Sequence, residues 1–262
     1  MKPYILSENN WKHINKSSYE LAILPWGATE AHNYHLPYAT DNIEAESIIN
    51  ESGKIAWEKG SRFIILPTIP FGVNTGQKDI LLDINLNPST QQMILDDIIA
   101  VLNRQGIYKL LVFNSHGGNN FKNMLRELGL KYPKMFLCSS NWFKSLDKSN
   151  YFDNDGDHAD ELETSLILYL RPDLVEKKMY WGEGKENKIS ITSLRENWTW
   201  SERQWSKATN DTGIGNPIKS TKKKGEKYFK DVCNKVSKLI QELCNADLKI
   251  YILKIKMAYH LK

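Results

Sequence analysis

The chain has 262 residues, of which 41% are hydrophobic and 25% charged, the composition of a folded globular protein. Its formal net charge of +4 is modest, and the late lysines alternate with acidic and apolar residues, so the charge does not indicate a nucleic-acid-binding protein. No run of about eighteen apolar residues occurs, and the first residues lack a long apolar stretch. The sequence therefore predicts neither a membrane span nor a signal peptide.

The three cysteines, Cys138, Cys233 and Cys244, are odd in number and lack CxxC spacing. This pattern argues against a disulfide framework and against a thiolate zinc site. It fits a reducing compartment, and we expect a cytoplasmic protein. The length suits one α/β unit, so we expect a single domain over residues 1–262.

Short apolar runs that end in turn residues alternate with longer stretches of helical period. This pattern is typical of βα units and predicts an α/β fold with a largely parallel β-sheet flanked by helices. The apolar runs predict buried strands over Leu21–Pro25, Arg62–Pro67, Lys109–Phe113 and Met135–Cys138. The helical periods predict helices over Asn42–Lys59, Pro88–Arg104, Asp157–Leu170 and Lys223 to about His260. Residues 180–220 lack a clear period, and we expect a loop there.

Side chains able to bind a metal follow two of the predicted strands. The segment GATEAHNYHLPYATD, residues 27–41, follows the first strand, and NSHGGNN, residues 114–120, follows the third. In open α/β sheets, sites form beyond the carboxyl ends of the strands, so both segments are expected at one edge of the sheet. The candidate metal ligands in these segments are Glu30, His32, Asp41 and His116.

The spacing of these residues supports a shared site. Glu30 and His32 are two residues apart, and in an extended backbone such side chains project to the same side. Asp41 lies at the start of the next helix, and the two oxygens of its carboxylate can bridge a pair of cations. Two glycines follow His116 and leave access to its ring. Imidazole and carboxylate ligands without thiolate favour zinc, manganese or iron(II) over calcium or magnesium.

Taken singly, these residues have simpler explanations. Asp41 alone fits a helix cap, and His116 alone fits a hydrogen-bonded histidine at a tight turn. A third cluster, GDHADELETS at residues 156–165, fits an acidic first helical turn that complements the helix dipole. With Asp157 as cap, His158 and Glu161 would share a helix face, whereas Glu161 and Glu163 would diverge by about 200°, so one of the two glutamates can face an ion.

Together, the three clusters resemble the creatininase (creatinine amidohydrolase) family, in its variant with HGGN in the second motif. The motifs are LPWGATEAHNYHLPYATD (residues 24–41), NSHGGN (114–119) and DHADELETSLILYLRPDL (157–174). The resemblance implies an α/β sandwich-like fold, a homo-oligomer that is usually a hexamer, and a site for two divalent ions (Zn, Mn or Fe). It also implies hydrolysis of a non-peptide C–N amide bond in a small-molecule substrate by metal-activated water.

The resemblance assigns roles by position. Glu30, Asp41 and His116 would hold one ion, and His32 and the bridging Asp41 the second. His158 matches the catalytic histidine of the family, which can pass a proton to the departing nitrogen.

The chain departs from the creatinine-hydrolysing members at two places. Gly118 stands where those members carry a glutamate ligand of the second ion. We expect Glu161 to replace that glutamate, with Glu163 in a supporting role or as the alternative ligand.

The second departure lies in the substrate pocket. Trp142 matches one aromatic residue of the family's pocket, but Gly117 and Asn154 stand at the positions of the other aromatic residues. The expected substrate pocket is therefore formed by Trp142, Gly117, Gly118 and Asn154. The loss of bulky side chains argues against creatinine and allows a larger substrate, without naming it. The resemblance to members with HGGN implies a formamide, a cyclic amide or a short peptide-like substrate.

Two other functions compete with the amidohydrolase. The missing carboxylate at Gly118 is compatible with a non-catalytic protein of this fold that binds a metal or ligand. Paired metals with histidine and carboxylate ligands also serve phosphoesterases, although no cluster of Lys and Arg near the motifs is ready for a phosphate.

Overall fold

The computed structural model describes residues 2–196 and 198–248. Within these residues, four parallel strands form one sheet in the order β2-β1-β3-β4. The strands are β1 (Leu21–Trp26), β2 (Phe63–Ile65), β3 (Lys109–Asn114) and β4 (Phe136–Asn141). The predicted α/β fold with a parallel sheet is therefore confirmed, although β2 is shorter than predicted.

The helices cover both faces of this sheet. They are α1 (Trp11–Ile14), α2 (Thr40–Glu58), α3 (Pro88–Arg104), α4 (Lys122–Lys131), α5 (Glu161–Leu170), α6 (Thr192–Arg195), α7 (Trp205–Ala208) and α8 (Lys222–Asn245). Short 3₁₀ helices lie at Leu6–Glu8, Thr75–Gln77, Trp142–Lys144, Lys148–Asn150, Pro172–Leu174, Lys178–Tyr180 and Pro217–Lys219. As expected, residues 180–220 contain a few short helical turns and no long element.

Alternate residues of the central strands enter two separate cores, because successive side chains of a strand point to opposite faces. Leu21 and Ile23 of β1 pack with α2, α5 and α8, whereas Ala22 and Leu24 pack with α3 and α4. All six residues of β1 and all six of β3 are buried. Such strands read as continuous apolar runs, which is why the sequence located them.

Two helix boundaries correct the sequence prediction. The helix predicted from Asp157 begins at Glu161, because Asp160 is its N-cap and accepts hydrogen bonds from the backbone N–H groups of Leu162 and Glu163. The last helix, α8, ends at Asn245 rather than near His260, and residues 249–262 lie outside the described residues.

The end of α8 is fixed by a buried lysine at the start of β3. Nζ of Lys109 donates hydrogen bonds to the carbonyl oxygens of Leu243 and Cys244, at 2.9 and 3.0 Å. These carbonyls have no partner within the helix, and a cation there also complements the helix dipole.

The three cysteines are free, as predicted. No helix among the described residues is long and apolar enough to cross a membrane.

Candidate metal centre

The loop between β1 and α2 directs the side chains of Glu30 and His32 into the interior of the protein. The backbone N–H of Glu30 donates to the carbonyl of Tyr38 at 3.1 Å, and that of Ala31 donates to Oδ1 of Asp83 at 2.7 Å. The loop is thereby folded on itself, and both side chains are almost completely buried. The sequence predicted a ligand-bearing loop here because it holds Gly27 and Pro37 and directly follows a buried strand.

Two other elements deliver Asp41 and His116 to the same place. Asp41 lies in the first turn of α2, where a carboxylate is favoured by the helix dipole. His116 lies just beyond β3, where the side chain of Asn114 accepts from the N–H of His116 and donates to its carbonyl. Since β1 and β3 are adjacent and parallel, these loops meet at one edge of the sheet.

Asp41 stands between two groups of potential ligands. Its Oδ2 lies 3.1 Å from Nδ1 of His116, which is 2.8 Å from Oε1 of Glu30. Its Oδ1 lies 3.4 Å from Nε2 of His32, which is 3.9 Å from Oε2 of Glu163. The groups Glu30–Asp41–His116 and His32–Asp41–Glu163 each bring three ligand atoms within 4.8 Å of one another.

Each histidine at the centre is oriented by a backbone carbonyl on its far side. His116 donates from Nε2 to Val73 at 3.0 Å, and His32 donates from Nδ1 to Glu30 at 3.1 Å. His158 donates from Nε2 to Ala31 at 2.7 Å. In the neutral form, the other ring nitrogen of each histidine therefore carries a lone pair that faces the cluster, an arrangement typical of metal-binding histidines.

The two glutamates of α5 lie the other way round from the sequence prediction. Glu161 is buried, but its carboxylate accepts hydrogen bonds from the N–H groups of Asp153 and Asn154 and pairs with Lys224. Glu163 instead reaches His32 and Asp41. The predicted helical geometry failed because α5 begins at Glu161, so that His158 and Glu161 do not share a helix face.

His158 approaches the cluster from an irregular segment before α5. Its backbone forms a bridge with Ile214, and the next residue, Ala159, has a left-handed backbone with φ of 49°. Nδ1 of His158 lies 3.9 Å from Oε1 of Glu30, and its ring lies 4.2 Å from that of His32. His158 is thus close enough to take part in chemistry at the cluster.

The electrostatics of the cluster favour an additional positive charge. Burial opposes the charged forms of His32 and His116, but nearby carboxylates outweigh it, raising the pKa of His32 to about 10 and that of His116 well above its usual value. Burial would likewise raise the pKa of Glu30, but the charge of His116 outweighs it and lowers that pKa. In the absence of a metal, protonated imidazoles balance the carboxylates.

The other two carboxyl groups respond differently. Burial, more than any neighbour, raises the pKa of Glu163 to about 8. Burial and then the charges of Glu163 and Asp41 raise the pKa of Glu44, a fully buried residue of α2 whose carboxyl oxygens have no hydrogen-bond partner. Burial and these neighbouring charges therefore favour the neutral form of the Glu44 carboxyl.

The donor set fits divalent metal ions. Oε1 of Glu30, Nε2 of His32 and Oδ2 of Asp41 are buried, and when the facing nitrogens of His32 and His116 are unprotonated these three atoms have no hydrogen-bond partner among the described residues. Buried polar atoms without partners are unfavourable, and one cation beside Glu30 and Asp41 with a second beside His32 would satisfy all three. Imidazole nitrogen with carboxylate oxygen is a ligand set suited to zinc, manganese or iron.

The residues expected to form the pocket have different surroundings. Gly117 lines a small cavity beside Glu163, and a side chain added there would meet open space. Trp142 is instead a core residue, 2% exposed, whose Nε1 donates to Oγ of Ser115. The side-chain amide of Asn154 donates to the carbonyl of Asn216.

Gly118 is required for close packing rather than for an open pocket. A Cβ atom at this position would lie 2.4 Å from the carbonyl oxygen of Val73 and 2.5 Å from Nε2 of His116. These two atoms are hydrogen-bonded to each other. A glutamate at position 118 therefore does not fit this backbone, and the carboxylate at the second half of the cluster comes from Glu163.

Sequence reasoning missed two residues that contact the cluster. Gln77 donates a hydrogen bond to Oε2 of Glu30, and Trp205 packs edge-on against His158 with ring centroids 4.7 Å apart. The guanidinium of Arg203 lies 4.9 Å from the ring of Trp205 and pairs with Asp157 at 3.0 Å. The density of tryptophan in residues 180–220 was the one available signal, and it carried no periodicity that could place Trp205.

Comparisons with known proteins match this architecture. A sequence model of the creatininase family, described as creatinine amidohydrolase, matches residues 7–240. A Bacteroides fragilis protein assigned by name to the creatinine amidohydrolases is 40% identical, and its crystal structure has a TM-score of 0.89 over 95% of this chain and 99% of that one. The Pseudomonas putida creatinine amidohydrolase is 27% identical over 175 residues, which span 59% of this chain and 65% of that relative's length.

More distant solved structures share the fold. A creatininase of a Zn–Zn type and a creatininase named for Mn have TM-scores of 0.74 and 0.71, each over 94% of this chain and 100% of theirs. Both are 18% identical to this chain. At this identity the likeness concerns the arrangement of strands and helices.

Proposed function

This chain belongs to the creatininase family, and from that premise we propose that it is a metal-dependent amidohydrolase that cleaves a C–N bond other than a peptide bond. The observation that carries the proposal is the position of Asp41, whose two oxygens each face one group of ligands. A shared carboxylate between two groups is the arrangement that a pair of metal ions needs.

We assign Glu30, Asp41 and His116 to one ion, and His32, Asp41 and Glu163 to the other. Two divalent ions bound here would make water reactive near neutral pH and polarise the carbonyl of an amide. The solved creatininases of Zn–Zn and Mn type support zinc or manganese as the ions. Gln77 would keep Glu30 in place through its hydrogen bond to the second carboxylate oxygen.

His158 would move the proton. Its Nε2 is occupied by the carbonyl of Ala31, so Nδ1 is the atom free to exchange a proton. Burial and then the charge of His32 lower the pKa of His158, which keeps it neutral. Neutral Nδ1 can accept a proton from the attacking water and then deliver it to the departing nitrogen as the C–N bond breaks, leaving an amine and a carboxylic acid that loses its proton to solvent.

The substrate is proposed to be a small formamide, a cyclic amide or a short peptide-like amide. Gly117 leaves open space beside the cluster, and Trp142 is packed into the core. Neither residue supplies the aromatic wall expected for creatinine. The family resemblance and the absence of two of the expected aromatics support this wider substrate class.

The proposal is tested with protein that has been stripped by a chelator and reloaded with zinc or manganese. Reloaded protein is expected to release amine from at least one member of a panel of formamides, lactams and short peptide-like amides, and His158→Ala is expected to lose this activity while keeping its metal. Two bound ions without hydrolysis would favour the non-catalytic alternative. Hydrolysis of generic phosphate esters in place of amides would favour the phosphoesterase.

We further propose that the chain is a single domain that assembles as a homo-oligomer. The packing of the described helices around one sheet supports the single domain. Large apolar side chains that remain exposed support assembly, among them Leu81 and Trp200, at 80% and 82% exposure. Light scattering on the purified protein tests the oligomer, which by family resemblance is a hexamer.

A further inference from the structure

A small cavity of about 30 Å³ adjoins the metal centre. Glu163 forms part of its wall, and the same carboxylate lies 3.9 Å from His32 in the ligand cluster. Phe143 and Leu162 provide apolar surface, and Gly117 leaves the cavity open on one side. A cavity of this size accepts a water molecule or a small polar group of a ligand.

Lys148 is the one lysine or arginine among the described residues that line this cavity. Its side chain is 34% exposed, and its Nζ donates to the carbonyl of Gly156 at 3.2 Å and to Oδ2 of Asp160 at 3.3 Å. An ammonium group has three donors, so one N–H remains available. Charge-assisted hydrogen bonds are usually shorter, at about 2.7–2.9 Å. The bond from Lys148 to Asp160 is therefore weak, and another carboxylate could accept a stronger hydrogen bond from Nζ.

The carboxylates around Lys148, including Asp157 of the cavity wall, also have other partners. Oδ1 of Asp160 accepts from the N–H groups of Leu162 and Glu163, as the cap of α5. Asp157 pairs with Arg203 at 3.0 Å. Glu163 belongs to the proposed ligands. With two divalent ions in place, their four positive charges would exceed the three negative charges of the ligands Glu30, Asp41 and Glu163, and this excess favours an anion beside Lys148.

We propose that Lys148 binds an anionic group of the substrate, so that the preferred substrates are small amides that also carry a carboxylate. This inference rests on the proposed function, because it places the cleaved amide at the metal centre and the anionic group in the adjoining cavity. A carboxylate fits the available space and would accept a hydrogen bond from the free N–H of Lys148.

The test compares two probes that differ in charge and hardly in shape, N-formylglycine and its neutral counterpart N-formylglycinamide. Their binding to the zinc-loaded protein is followed by ligand-observed NMR titration, which requires no turnover. We expect the wild-type protein to bind the anion about tenfold more tightly, Lys148→Met to lose most of this preference and Lys148→Arg to retain it. Lys131→Met, which removes the α4 lysine from its surface ion pair with Asp96 of α3, is the matched control and should keep the preference.

The neutral probe separates a binding role of Lys148 from a structural one. If Lys148 only stabilised the segment that contains Gly156 and Asp160, Lys148→Met would weaken both probes alike, and the inference would be wrong. Equal binding of both probes by the wild-type protein, or no binding of N-formylglycine, would also overturn it. Preferential binding of the anion without hydrolysis of any amide would sink the proposed function and the statement about substrates, and would leave standing only the binding of an anionic group by Lys148.

Discussion

Nδ1 of His116 lies 3.1 Å from Oδ2 of Asp41, although the two residues come from different elements, the end of β3 and the first turn of α2. The distance depends on the orientation of the His116 ring, which the hydrogen bond from Nε2 to Val73 fixes. The backbone around this ring therefore determines whether the ligands converge.

We predict that Gly118→Ala weakens metal binding at least about tenfold, the usual effect of disturbing a partner that orients a ligand. The new methyl group would collide with the carbonyl of Val73 and with Nε2 of His116, and would turn the ring away from Asp41. Calorimetric titration with zinc measures the effect. Gly117→Ala is the control, because its methyl group enters open space and should leave affinity unchanged. Equal affinities in the two variants would show that the ring is not held in this way.

Trp205→Ala should lower the rate of hydrolysis by roughly tenfold to a hundredfold, the range expected when a catalytic group loses its position. Trp205 packs edge-on against His158 and is itself covered by Arg203. Steady-state kinetics on any amide that the wild-type protein cleaves measures the loss, with the metal content determined in parallel. Trp11→Ala, at an exposed position of α1, should retain full activity. An unchanged rate in Trp205→Ala would mean that His158 holds its orientation unaided.

Metal loading should release protons and weaken as the pH falls. In the metal-free protein, carboxylates raise the pKa of His32 to about 10 against the opposing effect of burial, and that of His116 is raised as well. At pH 8 His32 is therefore protonated and Glu163, with a pKa of about 8, is about half protonated, while the raised pKa of His116 favours its protonated form, so divalent ions must displace more than one proton per chain. Calorimetry at pH 8 in two buffers of different ionisation enthalpy counts them. A pH-independent affinity without proton release would contradict the electrostatics described for this cluster.

The stability of the metal-free protein should fall as the pH drops from about 6.5 to 4, with a contribution from His35. Burial lowers the pKa of His35 to about 4, below the value of about 6.5 in the unfolded chain, so the unfolded state binds more protons in this interval. His35 would contribute up to about 3 kcal/mol above pH 6.5, lost as the pH falls through 4. Urea unfolding of the wild-type protein and of His35→Gln measures this.

His35→Gln should show the shallower dependence of unfolding free energy on pH between 4 and 6.5. Glutamine can keep a hydrogen bond to Thr164, whose Oγ1 lies 2.8 Å from Nε2 of His35, but it does not titrate. Parallel curves for the two proteins would show that protonation of His35 is not linked to unfolding.

The sequence located the fold and much of the candidate site because the relevant signals are local. β1 and the interior of β3 (Leu110–Phe113) are uninterrupted apolar runs, and parallel strands place their following loops at one edge of a sheet. Glu30, His32, Asp41 and His116 all lie directly after such a strand or at the next helix start, so their proximity followed from the topology.

The parts that could not be predicted depend on tertiary detail. Glu163 rather than Glu161 lies beside His32 and Asp41 because α5 begins at Glu161. The side chain of Asp160 caps the helix there, directly after Ala159, whose backbone is left-handed. No local pattern distinguishes Asp160 from Asp157 as the cap. Trp205 lies in a segment without periodicity, and its contact with His158 joins residues far apart in the chain.

The central claim is that two ions are bound per chain, with Asp41 shared and Glu163 rather than Glu161 as a ligand. Metal analysis of the reloaded protein and of the matched variants Glu163→Gln and Glu161→Gln tests it most directly. We predict two ions in the wild-type protein, one in Glu163→Gln, and two in Glu161→Gln, whose loss of the contact to Lys224 should lower stability by about 1–3 kcal/mol. Fewer than two ions in the wild-type protein, or loss of an ion from Glu161→Gln but not from Glu163→Gln, would contradict the account.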